Sequence, residues 1–194
     1  MEASERKRRL RAEMLALEPP STETRAAVVA HVGEWLDEHR PNIVVGFLGM
    51  GDEIDMTPLV SAHPRIRFGL TRTAPGVSLT VHDFAGPREM HRFGFEQPAA
   101  EAPLIEPGEV EVVLVPGLAF GRDGRRLGRG AGYYDRFLAG IDATTIALTT
   151  TSRIRHDLPL EPHDVLVDWV VTEVGVTRTS TTERPQGQPN RSPL

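Results

Sequence analysis

The sequence predicts an α/β fold: a mixed, largely parallel sheet flanked by helices. Three observations support it. Short apolar runs recur at "NIVVGFLGM" (42–50), "VEVVLVPGLAF" (110–120), "TTIALTTT" (144–151) and "VLVDWVVT" (165–172), several without the alternation of a half-exposed strand. Helical patterns precede or separate some of them, as a layered α/β domain requires. The link "APG" (74–76) is too short for a parallel crossover, so "RIRFGLTRT" and "VSLTVHDF" form an antiparallel pair.

Taken in order, residues 3 to 17 read as a helix. Leu10, Met14 and Leu17 share a face, and Pro19-Pro20 stops it. Ser21 caps a second helix with Val28, Val32, Trp35 and Leu36 on its buried stripe. The first strand follows, and "MTPLVSAH" starts a short helix. After the antiparallel pair, residues 85–109 are rich in Pro, Gly and Glu and read mostly as loop. The run 110–120 is the strongest buried-strand signal; a glycine-rich loop follows it and enters a helix near 132–140. Two more strands complete the sheet. From Val176 the chain is polar and proline-rich, and is expected to be disordered. The expected organisation is one domain at 1–175 and a tail at 176–194.

Composition narrows the function. The 194 residues include no cysteine, which excludes disulfides, thiolate catalysis and thiolate metal sites. No apolar run reaches the roughly 20 residues of a membrane span, and the N-terminus lacks a secretory apolar core. Glu2, Glu5 and Glu13 argue against an organelle transit peptide, so the expectation is a cytoplasmic protein. Net charge is −5, yet Arg122, Arg125, Arg126, Arg129 and Arg136 crowd one short loop with only Asp123 and Asp135 against them. Such local positive charge in an acidic chain points to a bound anion, not to a nucleic-acid surface.

The loop "RLGRGAGYYDRF" (126–137) holds Gly128, Gly130 and Gly132. It lies between a strand and a helix, where open α/β sheets bind ligands. Its spacing is not that of a dinucleotide fingerprint, which needs glycine where Tyr133 stands, nor of a Walker loop, which needs Gly-Lys-Ser/Thr. An NAD-linked dehydrogenase is thereby disfavoured. Spacing alone leaves two readings, a phosphate or nucleotide loop and a flexible arginine-rich surface turn.

The wider string "VPGLAFGRDGRRLGRGAGYYDRFL" resembles the signature of the 5-formyltetrahydrofolate cyclo-ligase family. "RKRRLR", "FLGMGDEIDMTPL", "RFGFEQP" and "VDWVVT" resemble further family segments in the same order, over about residues 4 to 175. The resemblance implies a sandwich like that of sugar-phosphate isomerases and CoA-transferases. It implies ATP-dependent closure of 5-formyltetrahydrofolate to 5,10-methenyltetrahydrofolate, with release of ADP and phosphate.

Phosphoryl transfer of this kind needs positioning and charge neutralisation more than strong acids and bases. Gly128, Gly130 and Gly132 let backbone approach phosphate oxygens, and Arg126 and Arg129 supply charge-assisted hydrogen bonds. Lys7 and Arg11 share a helix face and suit a triphosphate clamp, though the surplus arginines beside them also fit a solvated basic face. On the resemblance, the ATP site comprises Lys7, Arg11 and Arg126 through Tyr134, including Leu127 and Ala131, and Arg126 and Tyr133 are the catalytic pair. Glu53 matches the family glutamate that binds the folate, with Asp52 and Asp55 as near rivals in the same loop and Leu48, Phe93, Gly94, Tyr133 and Tyr134 around the same substrate. Tyr133 and Tyr134 also suit core filling. Asp135 opens the helix after the loop; Asp168 sits inside an apolar strand, where a carboxylate is costly unless paired or metal-bound. The family places both at Mg2+. His163 is expected to be structural.

Ala131 and Arg155 depart from common family residues. The expected partner is the small-molecule folate alone, with no nucleic acid or membrane, bound by a monomer. The alternative is a non-catalytic nucleotide- or polyanion-binding relative that uses the Arg/Gly-rich loop.

Overall fold

The computed structural model describes residues 2–73, 79–92 and 94–180, with the backbone alone at Glu2. Helices are α1 (Glu2–Leu15), α2 (Thr22–His39), α3 (Thr57–Ala62) and α4 (Tyr133–Ala139). Strands are β1 (Ile43–Gly46), β2 (Arg67–Arg72), β3 (Thr80–Asp83), β4 (Arg88–Met90), β5 (Glu96–Pro98), β6 (Val112–Val115), β7 (Ala119–Phe120), β8 (Arg126–Leu127), β9 (Thr144–Leu148), β10 (Trp169–Thr172) and β11 (Gly175–Arg178).

Seven strands form the main sheet, in the order β11-β10-β9-β6-β1-β2-β3. Its five central strands are parallel; β3 and β11 are antiparallel edges. The expected antiparallel pair is β2 with β3, Leu70 opposite His82. The "APG" turn itself lies outside the described residues.

Successive side chains of the central strands serve opposite faces. Val44, Val112, Leu114 and Ile146 pack with Val28, Val32, Trp35 and Leu36 of α2 and Leu59 of α3. Val45, Val113, Val115 and Ala147 pack with Phe137 and Leu138 of α4. Both faces are covered, so these strands read as continuous apolar runs. Ser21 caps α2 as expected, its hydroxyl accepting from Thr24 N–H at 3.2 Å.

Helix α1 does not lie on the sheet. Leu10 and Met14 pack against Leu118, Ala119, Leu127 and Leu158 in a separate apolar cluster. This docking seats α1 over the loop that follows β6.

Residues 85–109 are mostly loop as expected, with β4 and β5 pairing as a short antiparallel ribbon within them. Two expectations are corrected. The apolar run 110–120 breaks at Pro116-Gly117, and β7 turns back to pair with β8. The polar segment does not begin at 176: Val176, Thr177 and Arg178 pair with Val171, Val170 and Trp169. Partial burial against β10 orders a sequence whose composition alone reads as tail. Residues 181–194 lie outside the described residues.

Candidate functional site

Strand order reverses between β1 and β6. The chain leaves β1 for β2 and β3 on one side and returns through β6 to β9 and β10 on the other. Loops diverge at such a switch point and leave a crevice at the carboxyl ends of the strands. A cleft of about 670 Å³ lies there. Phe47 and Leu48 after β1, Pro116 and Gly117 after β6, and Thr71 and Thr73 at the end of β2 line its floor. The loop 126–135, α1, the β4–β5 ribbon and residues 161–164 complete its walls.

The sequence-predicted residues converge on this cleft. Lys7, Arg11, Leu48, Glu53, Arg126, Leu127, Gly128, Arg129, Gly130, Ala131, Gly132, Tyr133, Tyr134 and Asp135 all line it. Gly94, with φ +81° and no neighbour within 4 Å of a built Cβ, sits at the ribbon turn beside the cleft without lining it. Phe93 lies outside the described residues.

Arg126 lies beneath the glycine loop. Its side chain is 5% exposed and pairs with Asp135 at 2.7 Å. It also donates to the Pro116 carbonyl at 3.3 Å. A Cβ at Gly128 would lie 2.7 Å from Arg126 Nη1, so glycine is what lets the loop cross the guanidinium. Gly130 has φ +105°, and its Cα faces the Arg11 guanidinium, which donates to the Gly128 carbonyl at 2.9 Å. Helix and loop therefore meet through Arg11.

Lys7 is not part of a solvated basic face. Its ammonium is buried, 2.7 Å from Glu161 and 2.5 Å from Asp164. Lys7 holds the Glu161 carboxyl below the usual carboxylate range, first through the hydrogen bond and then through charge. Glu161, His163 and Asp164 bring ligand atoms within 4.8 Å of one another. The Lys7 ammonium already serves both carboxylates there, so the cluster has its cation within the chain.

Glu53 faces the glycine loop from the opposite wall. Its carboxylate accepts from Met50 N–H at 2.9 Å and lies 3.4 Å from Arg129 Nε. Burial pushes its pKa up, and the Met50 N–H and Arg129 only partly oppose this. Because the folded value is raised, the ionised carboxyl costs stability as pH rises through it; below the ordinary value of 4.5 that cost is absent. Glu53→Gln is therefore expected to raise the melting temperature by a few degrees at pH 7, about 1 kcal/mol corresponding to roughly 2–4 °C in a chain this long. The gain should vanish below pH 4.5 in melts across a pH series.

The tyrosines divide. Tyr134 is half-buried, its hydroxyl 3.0 Å from Thr71 Oγ1, and desolvation of that hydroxyl raises its pKa strongly. Its ring packs on the α4 face of the sheet and lies 5.8 Å from the Arg126 guanidinium. Tyr133 opens onto the cleft with the Arg136 guanidinium 5.2 Å from its ring. Arg155 turns away and donates to the Ser152 and Ile154 carbonyls, so that departure does not touch the cleft.

Asp168 is the clear correction. Its carboxylate accepts from Thr145 N–H at 2.9 Å and Thr145 Oγ1 at 2.7 Å. It precedes β10 beside the start of β9, at the amino edge of the parallel strands. The cleft lies at the carboxyl edge, so Asp168 and Asp135 are not brought together. The apolar flanks announced a paired carboxylate, and Thr145 supplies two donors to it.

Sequence reasoning missed Thr71, His91, Phe95, Glu161 and Asp164, which line the same cleft. A counterion demand at Lys7 was the one available signal for the last two. Their separation in sequence hid it.

Comparison with known proteins agrees with this geometry. The sequence model of the 5-formyltetrahydrofolate cyclo-ligase family matches residues 3–173. The 5-formyltetrahydrofolate cyclo-ligase of Mycolicibacterium smegmatis is 45% identical over 83 residues, 41% of this chain and 43% of that protein. The mouse enzyme of the same name is 37% identical over 75 residues, 36% of this chain and 37% of that protein. The chain thus spans less than half the length of the curated relatives it matches. The solution structure of a 5,10-methenyltetrahydrofolate synthetase from Aquifex aeolicus superposes with TM-score 0.76 at 25% identity, covering 95% of this chain and 96% of that one. A synthetase of the same name from Mycoplasma pneumoniae shares the fold, with TM-score 0.67 at 18% identity over 89% and 99% of the two chains. The family match runs through the glycine loop, both cleft walls and nearly every strand, and the chain belongs to the 5-formyltetrahydrofolate cyclo-ligase family.

Proposed function

We propose that this protein catalyses ATP-dependent cyclisation of 5-formyltetrahydrofolate to 5,10-methenyltetrahydrofolate. The carrying observation is one cleft in which the glycine loop and α1 gather Arg126, Arg11 and Lys7, each held by partners within the chain, opposite the buried carboxylate of Glu53. Phosphate suits the first wall and a pterin, whose ring N–H and amino group are donors, suits the second.

In this reading the formyl oxygen attacks the γ-phosphorus, and the bond to ADP breaks. The N10 lone pair then attacks the activated carbon. Phosphate leaves with the former formyl oxygen, and N10 loses its proton to solvent. Arg126 neutralises charge on the transferring group, and its bond to Asp135 holds the guanidinium in place. Lys7, Arg11 and Arg129, with the backbone from Leu127 to Gly132, position the triphosphate. Leu48, Tyr133 and Tyr134 flank the folate, with Gly94 in the ribbon turn beside it; Phe93 is assigned to the folate on the sequence alone. Tyr133 is the remaining catalytic candidate because it opens onto the space between the walls.

Mg2+ fits this donor set through Asp135. Its carboxylate lines the cleft and remains partly exposed while bonded to Arg126. A small hard cation that keeps several waters takes one or two carboxylates plus substrate phosphates. When bound it would neutralise phosphate charge. Among the described residues no helix is long and apolar enough to cross a membrane. Work in the cytoplasm, as a monomer without nucleic acid or membrane, completes the reading; the Arabidopsis relative bears the designation mitochondrial.

The test is direct. Purified protein with MgATP and 5-formyltetrahydrofolate is expected to accumulate the methenyl product, followed by its absorbance, and to accumulate none without ATP. Measurable ATP binding with no product would leave the non-catalytic nucleotide-binding alternative in its place.

A further inference from the structure

Arg129 spans the cleft. It projects from the glycine loop, yet its Nη2 lies 2.6 Å from Asp52 Oδ1 and its Nε 3.4 Å from Glu53 Oε1. Both carboxylates belong to the loop after β1, on the opposite wall.

Asp52 also faces a second cation. Its Oδ2 is buried, accepts no hydrogen bond, and lies 3.8 Å from Arg153 Nη2, which is buried and donates none. A buried unsatisfied pair needs a reason. Arg153 is fixed to the frame, since its Nη1 donates to the Met14 and Leu118 carbonyls at 3.3 Å each. Among the described residues Arg129 is fixed by the two carboxylates, and it is a third exposed. Asp52 thus stands between an anchored guanidinium it does not quite reach and a free-standing one it holds.

We propose that Asp52 is a positioning residue that holds Arg129 across the cleft, and that phosphate in the glycine loop draws Arg129 away from Asp52 and Glu53. Asp52 then closes the short remaining gap to Arg153, and the two buried atoms acquire their missing hydrogen bond. Glu53 loses its ion-pair partner and presents its carboxylate to the folate. Occupation of the anion wall thereby favours occupation of the folate wall, and by linkage the reverse holds equally. This rests on the proposed reading of the two walls.

Inorganic tripolyphosphate is the probe, titrated at fixed ionic strength into the full chain and into Asp52→Asn, Arg129→Gln and the double variant. Asp52→Asn is expected to tighten binding about three- to five-fold, the scale of one partly exposed ion pair. In the Arg129→Gln background the same change should have no effect, because no guanidinium remains to be released. Equal tightening in both backgrounds means a general charge effect and overturns the proposal, as does no tightening in either. The unmodified chain supplies a measurement independent of any variant's folding: saturating tripolyphosphate should tighten 5-formyltetrahydrofolate binding by about five-fold. Turnover without that coupling overturns the role of Asp52 and leaves the cyclo-ligase reading standing. Absence of turnover overturns both.

Discussion

Replacing Arg126 by alanine is expected to lower kcat by about 10²–10³-fold, the usual cost of deleting one transition-state donor. The variant should also melt lower. Arg126 is buried and paired with Asp135, so its loss strands a partly buried carboxylate. Breaking a buried pair from one side costs about 3–5 kcal/mol, and the partial exposure of Asp135 places this case at or below the lower limit. The resulting fall is roughly 6–12 °C. Adding Asp135→Asn should recover stability without recovering turnover, because the stranded charge is gone while the donor is still missing. Arg126→Lys should retain most of the stability but lose the fork that serves Asp135 and the Pro116 carbonyl together. Calorimetry and single-turnover kinetics separate the two effects. Full turnover in Arg126→Ala would sink the assignment of Arg126 to the transferring phosphate.

Lys7→Ala is expected to act on binding more than on the chemical step. The KM for ATP should rise about ten-fold or more, the scale of a lost charged hydrogen bond, with a smaller change in kcat. Stability should fall too, since the Lys7–Asp164 pair is buried on both sides and its loss costs about 3 kcal/mol or more. The pH dependence has a definite sign. Lys7 holds the Glu161 carboxyl below its ordinary value of 4.5, so the stabilisation is present above that value and is lost as pH falls through the lower folded value. The difference in melting temperature between wild type and Lys7→Ala should therefore shrink below pH 4.5. Asp164→Asn in the Lys7→Ala background should restore stability and leave the KM high. A Lys7→Ala protein with unchanged KM for ATP would return Lys7 to a purely structural role.

The fold was legible where periodicity is local. All six expected strands are present, and the central ones were plainest because strands buried on both faces must be apolar throughout. Helix α1 illustrates the limit. Leu10 and Met14 announced a buried stripe, but not that the stripe docks on the loop after β6 instead of the sheet. The strand β11 and the β4–β5 ribbon were missed because most of their residues are polar and neither carries a run of buried apolar side chains.

The glycine string, Arg126, Asp135 and the tyrosines are neighbours in sequence, so their spacing carries the chemistry of the loop. That much the sequence determined by itself, together with the strands that frame it. Only the tertiary structure decided which carboxylates answer which cations: Glu161 and Asp164 for Lys7, Asp52 and Glu53 for Arg129. It also decided that Asp168 stands at the opposite edge of the sheet, bound to Thr145. The reason is that ion pairing follows distance in space. Partners that lie many tens of residues apart in the chain leave no local pattern, and the order of strands, not their composition, sets which loops meet.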